Sequence, residues 1–174
     1  MNENSERVSA TLPKVVDWPT LLVLRQQWRD LRRVVVWTNG CFDLVHVGHV
    51  RSLQAARRFG DLLVVGLNSD ASVHRLKGPG RPIVPCAERA ELLAALACVD
   101  HVVVFEESTP EAALARLQPD VHCKGADYAP PHGKPIPEAS IVEGYGGRVE
   151  FLPMIPANST SDIVRRIREM KAEE

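Results

Sequence analysis

No run in this chain of 174 residues is apolar for long enough to cross a bilayer. The first residues, Met1 to Ser9, are polar and lack the apolar centre of a secretory signal. Charge of one sign is also missing. The 21 Lys and Arg against 22 Asp and Glu leave a formal net charge of -1, so no basic field argues for a nucleic-acid partner. The four cysteines, Cys41, Cys86, Cys98 and Cys123, form no C-x-x-C pair and show no zinc-finger spacing. Reduced thiols in a cytoplasmic protein are the expectation. No G-x-G-x-x-G follows the first apolar run and no Walker A sequence occurs, which weighs against a dinucleotide oxidoreductase and a P-loop enzyme.

What is present is an ordinary globular balance, 45% hydrophobic and 25% charged, in a length that suits one domain with a substantial core. Residues 1–13 read as a loose arm and 14–174 as a single domain that opens on a helix. Asp17 is a candidate N-cap, and Leu21, Leu24, Trp28 and Leu31 recur at helical spacing. A homo-oligomer contact through that helix and packing of the helix on its own core both stay open. Short apolar runs at 33–38, 62–67, 101–105, 121–124 and 148–155 read as strands. Helical patterns lie between them: 47–59, 71–76, 88–97, 111–117 and 138–145. Leu92, Leu93 and Leu96 form one apolar face, and Ser108-Thr-Pro-Glu111 reads as a capping box. A last helix, opened by Ser159-Thr160-Ser161-Asp162, has Ile163, Ile167 and Met170 as its stripe. Strands that alternate with helices predict an α/β fold, a doubly wound parallel sheet of about five strands with helices on both faces. Ligands of such sheets bind beyond the carboxyl ends of the strands.

The segments that fall there carry the chemistry. Thr38-Asn39-Gly40-Cys41-Phe42-Asp43 runs on into His46-Val47-Gly48-His49 where a strand turns into a helix. Imidazole tips and unpaired backbone N–H groups can converge there on a phosphate. As a zinc pair, His46 and His49 lack an obvious third ligand. Cys41 reads as a small packed residue rather than a nucleophile. Lys77 and Arg81 sit in a Gly/Pro loop that could close over phosphates. Lys124 follows a strand end and can neutralise a phosphate, while Asp127 can bind sugar hydroxyls. The hydroxyls of Ser159, Thr160 and Ser161 at a helix start suit a polyphosphate or simply a cap. Arg89 reads equally as an exposed helix arginine or a ligand contact. Asp43 either caps a turn or orients a phosphoryl group or a magnesium-bound water.

Taken together these residues resemble the cytidylyltransferase-like nucleotidyltransferases, marked by H-x-G-H after the first strand. Thr38-Asn-Gly-Cys-Phe-Asp43, Val65-Gly-Leu-Asn-Ser-Asp70, Leu76-Lys-Gly-Pro-Gly-Arg-Pro82, Val121-His-Cys-Lys-Gly-Ala-Asp-Tyr128 and the terminal Ser-Thr-Ser occur in order. Over roughly residues 33–168 the chain is similar to the D-glycero-β-D-manno-heptose 1-phosphate adenylyltransferase family. It departs from that pattern at Ala126, usually glycine, at Asn158, where a glycine usually precedes the hydroxyl motif, at Ser161, usually threonine, and at His122-Cys123, usually more apolar.

The resemblance implies a Rossmann-like fold and the transfer of AMP from ATP to a heptose 1-phosphate. The products would be pyrophosphate and an ADP-heptose for surface-glycan synthesis. It implies catalytic roles for His46, His49 and Lys77. Nucleotide contacts would come from Thr38, Asn39, Gly40, Cys41, Phe42, Arg81, Arg89, Ser159, Thr160 and Ser161, and sugar-phosphate contacts from Asp43, Lys124, Asp127 and Tyr128. Mg2+ would arrive with ATP and take no assigned side-chain ligand. The chain looks like a free-standing form, with the sugar kinase as a separate protein. A cytidylyltransferase acting on glycerol 3-phosphate, a non-catalytic nucleotide-binding module and a flavoprotein-like module remain as alternatives.

Overall fold

The computed structural model describes residues 13–153 and 160–170. Five parallel strands form one sheet in the order β3-β2-β1-β4-β5. They are β1 (Val35–Gly40), β2 (Leu62–Asn68), β3 (His101–Phe105), β4 (Val121–Gly125) and β5 (Arg148–Leu152). The helices are α1 (Trp18–Asp30), α2 (Val47–Arg57), α3 (Asp70–Lys77), α4 (Cys86–Ala94), α5 (Glu111–Leu117), α6 (Ala139–Gly144) and α7 (Thr160–Met170). This is the doubly wound α/β architecture expected from the alternation.

Each face of the sheet has its own core. Leu53 and Ala56 of α2 and Ala90 and Leu93 of α4 pack on Val36, Leu63, Val65 and Val102. On the other face Leu21, Leu24 and Trp28 of α1, Leu114 and Leu117 of α5 and Val142 of α6 pack on Val35, Trp37, Val64 and Val103. Burial on both faces is why the strands read as continuous β-branched runs rather than as alternating ones. Gly66 is forced by this packing: a Cβ there would lie 2.2 Å from the Trp37 ring.

Aspartates set the starts of the strands. Asp61, Asp100 and Asp120 each precede a strand and accept an N–H from the strand beside it, from Val34 at 2.8 Å, Leu63 at 2.7 Å and Val35 at 2.7 Å. β1 begins at Val35, two residues later than expected. Asp17 caps α1 as expected, accepting from Thr20 N at 2.9 Å. Residues 14–16 pair beside β3 through Val16 N to Val102 O (3.0 Å) and Val102 N to Lys14 O (2.8 Å).

Several helical expectations are corrected. Leu31 and Leu92 are exposed, while Arg25, on another face from the leucine stripe, is buried. The Ser108–Glu111 segment is not a capping box, since α5 starts at Glu111 with no side-chain cap bond. Ile167 and Met170 of α7 are exposed, so among the described residues no element covers that stripe. Ser159 and the side chain of Ser161 lie outside the described residues.

The β1–β4 neighbourhood is where the strand order reverses. Their ladder holds two pairs, Val36 with Val121 and Trp37 with His122, against six between β1 and β2. Beyond Trp37 the ladder ends, with the Thr38 hydroxyl donating to Cys123 O at 3.2 Å. A crevice opens there, at the topological switch point.

Candidate active site

The crevice leads into a cleft of about 510 Å3 at the carboxyl ends of the strands. Thr38, Asn39, Gly40, Cys41, Phe42, Asp43 and His49 line one side, Lys77 and Arg81 a second, and Lys124, Tyr128 and Glu138 a third. Thr160 closes it from α7. Most of the residues singled out in the sequence therefore meet in one place, although they span more than a hundred positions.

Phe42 sits in the left-handed region (φ 45), an uncommon conformation for an aromatic residue. Its ring is buried and packs edge-on to His49, with centroids 5.2 Å apart. His46 is the N-cap residue of α2, and its ring stacks on that of His49 at 3.9 Å. His46 does not line the cleft; it stands behind His49. The His46 backbone N–H donates to His49 Nδ1 at 3.4 Å. With Nδ1 as acceptor, the ring proton of a neutral His49 is assigned to Nε2. Burial, reinforced by the neighbouring His46, brings the pKa of His49 down to about 4. Burial also lowers that of His46. At neutral pH both imidazoles are therefore uncharged, and His49, in the cleft wall at the start of a helix, is able to donate to an oxyanion.

The cationic residues are less free than the sequence suggests. Asp43, expected to meet the substrate, is buried and accepts from Arg81 Nε, Ile83 N (2.7 Å) and Val84 N (3.0 Å). It therefore pins the 81–84 loop to the turn after β1. Lys124 donates to Glu138 Oε1 at 2.8 Å and lies 4.3 Å from the Tyr128 ring centroid. Among the described residues Lys77 is the lining cation with no ion pair, exposed at the end of α3.

Two expected ligand contacts are placed elsewhere. Arg89 is fully enclosed. Its guanidinium donates to Val84 O (2.9 Å), Cys41 O, Asn68 O (2.9 Å) and Asp70 Oδ1 (2.7 Å). It ties the loop after β1 to the end of β2 and builds the cleft wall from behind. Asp127 pairs with exposed Lys134 at 2.9 Å, closing the 126–134 turn, and does not line the cleft. Burial pushes the Cys41 thiol up, which keeps it protonated and fits the packed reading.

Glu138 was missed as a site residue. It is 3% exposed, and Oε1 meets both Lys124 Nζ and His122 Nε2, the latter at 3.3 Å. Burial alone would raise its pKa, but the hydrogen bonds from His122 and Lys124 outweigh that and bring it to about 2. Burial holds His122 below its ordinary pKa, so the pair is a carboxylate and a neutral imidazole. Thirteen residues, most of them in a Pro-rich loop, separate Glu138 from Lys124, and no spacing marks the link.

No group of three or more His, Cys, Asp or Glu able to hold a metal ion occurs among the described residues. No described helix is long and apolar enough to cross a membrane.

Fold and cleft together define a Rossmann-like module with an H-x-G-H clamp at its switch point. The chain belongs to the cytidylyltransferase-like family, whose profile matches residues 37–166. It is 56% identical over 155 residues to the Bifunctional protein HldE of Geotalea uraniireducens, covering 89% of this chain and 31% of that one. It is 50% identical over 165 residues to the protein of the same name from Streptomyces coelicolor, covering 95% and 34%. The chain thus spans about a third of the length of these relatives. Among solved structures, the lipopolysaccharide core biosynthesis protein of Thermoplasma volcanium superposes with a TM-score of 0.57 at 23% identity, over 72% of this chain and 99% of that one. Pantothenate synthetase of Thermus thermophilus superposes at 0.53 with 16% identity, over 82% and 62%. These two likenesses are of fold.

Proposed function

We propose that this chain transfers AMP from ATP to D-glycero-β-D-manno-heptose 1-phosphate, releasing ADP-heptose and pyrophosphate. The observation that carries the reaction class is the uncharged His49, its Nδ1 satisfied by the backbone of His46, in the wall of a cleft that also holds Lys77. The choice of sugar rests on the ordered motifs of the heptose branch and on the relatives named HldE.

A phosphate oxygen of the sugar 1-phosphate attacks the α-phosphorus of ATP in line. The bond between that phosphorus and the α–β bridging oxygen breaks, and pyrophosphate leaves with the electron pair. The nucleophile is already an anion, so no strong base is needed, and positioning with charge stabilisation supplies the acceleration. His49, with His46 behind it, donates to the α-phosphate as charge develops. Thr38–Phe42 seats the nucleotide. Lys77, Arg81 and Thr160 hold the departing pyrophosphate, with Ser159 and Ser161 as further hydroxyls. Lys124, held by Glu138, and Tyr128 seat the sugar phosphate. Mg2+ would come bound to the ATP phosphates, with no side chain assigned to hold it, and would supply neutralisation of their charge.

Product identity tests the reading. A 31P spectrum of the protein mixed with ATP, Mg2+ and the heptose 1-phosphate should gain a sugar-nucleotide diphosphate pair and free pyrophosphate together. Release of inorganic phosphate and ADP instead would contradict it.

A further inference from the structure

At the amino-terminal edge of the sheet, opposite the cleft, lies a second recess of about 320 Å3. Arg25 and Arg29 of α1, residues 118–120 before β4 and residues 145–147 before β5 form its walls. The Arg25 side chain is 6% exposed. Its Nε donates to Leu117 O at 3.3 Å, and Nη2 donates to Gln118 O at 2.7 Å and Asp120 Oδ1 at 3.2 Å. Nη1, with two N–H groups, is buried and has no acceptor. The Tyr145 hydroxyl on the same recess is also buried and unpartnered. Burial raises the Tyr145 pKa well above its ordinary value, so the group keeps its proton as a donor.

The wall is built to hold these groups. Gly146 takes φ 86, and a Cβ on Gly147 would lie 2.7 Å from the Tyr145 ring. The turn therefore presses that ring inward. Two of the acceptors on the wall are already engaged. Asp120 serves Val35 N and Arg25, and the Gln118 side-chain oxygen accepts from Arg29 at 2.7 Å. The buried groups left over are the donors of Arg25 Nη1 and Tyr145, with one net positive charge from two arginines against one aspartate. A water molecule could accept here, but its own protons would find few acceptors. An oxyanion brings several lone pairs and no protons. Buried donors left without an acceptor are costly, and an oxyanion would satisfy both groups.

We infer that this recess binds a small oxyanion, a phosphate or a carboxylate, between Arg25 Nη1 and the Tyr145 hydroxyl. β4 and α6 connect the two sites. Asp120 precedes β4 and Lys124 lies near its far end, while Glu138 precedes α6 and Tyr145 follows it.

The test is a titration of the 15N-labelled protein with inorganic phosphate and, separately, with acetate. The amides of Gln118, Gly146 and Gly147 and the Arg25 Nε–H report this recess, while the amides of Gly40 and Gly125 report the cleft. Saturable shifts at the first set are expected with at least one of the two anions, and the arm that saturates names the source. Tyr145→Phe should weaken that binding about tenfold and leave the Gly40 and Gly125 titration and the nucleotidyl transfer rate unchanged. Arg25→Lys, which keeps the charge but loses the fork, should weaken it further. Shifts confined to Gly40 and Gly125, no saturation with either anion, or a Tyr145→Phe protein that titrates like the wild type would each overturn the proposal.

Discussion

The imidazole rings of His46 and His49 stack 3.9 Å apart, and the backbone N–H of the first donates to Nδ1 of the second. The backbone bond fixes which nitrogen of His49 carries the proton, and burial keeps both rings neutral. His49→Ala should therefore lower turnover by about two to three powers of ten, the loss expected for a donor that acts on the developing charge. Circular dichroism should show the fold retained. A folded variant with near wild-type turnover would remove His49 from the mechanism.

The same burial has a pH signature. The folded pKa of His49, about 4, lies below the ordinary 6.5, so the unfolded chain takes up the proton first as pH falls. Stability from this group is fully present above 6.5 and is lost as pH falls from 6.5 towards 4. Urea midpoints of wild type and His49→Gln should converge over that window, the wild type losing more. Parallel curves would mean that His49 titrates normally.

Arg89 separates a wall from a ligand contact. Lysine cannot reach the four acceptors that the guanidinium spans, and buried carbonyls would be left unmade. Arg89→Lys should cost about 2 kcal/mol or more in denaturant unfolding. If it instead left stability intact and weakened ATP binding, Arg89 would be a nucleotide ligand after all.

Glu138 holds Lys124 at 2.8 Å, and in the proposed reaction that makes it a positioning residue. Glu138→Gln keeps the shape but drops the charge-assisted bond, worth about 1–2 kcal/mol. The KM for the sugar phosphate should rise about tenfold, with that for ATP little changed. Equal changes in both would point to general damage.

The fold was legible because its signals are local. Asp17 caps α1, and β-branched runs mark strands buried on both faces. The cleft's side of the sheet followed from the alternation of strands and helices, which puts ligands beyond the carboxyl ends of parallel strands. Which partners meet in it did not, because those bonds join distant segments. Asp43 answers to Arg81 and the 83–84 amides, Lys124 to Glu138, and Arg89 to three separate loops. A charged residue read alone looks available to a ligand, while in the structure its charge is already used. Periodicity was also weaker than it looked at Leu31, Leu92, Ile167 and Met170, which share an apolar pattern yet remain exposed.

The central claim is tested most directly by a pyrophosphate-release panel with Mg2+, crossing ATP, CTP and GTP with heptose 1-phosphate, glycerol 3-phosphate and ethanolamine phosphate. Release with ATP and heptose 1-phosphate, at least a hundredfold above every other pair, is the predicted result. Activity confined to CTP with glycerol 3-phosphate, or no release with any pair, would contradict it.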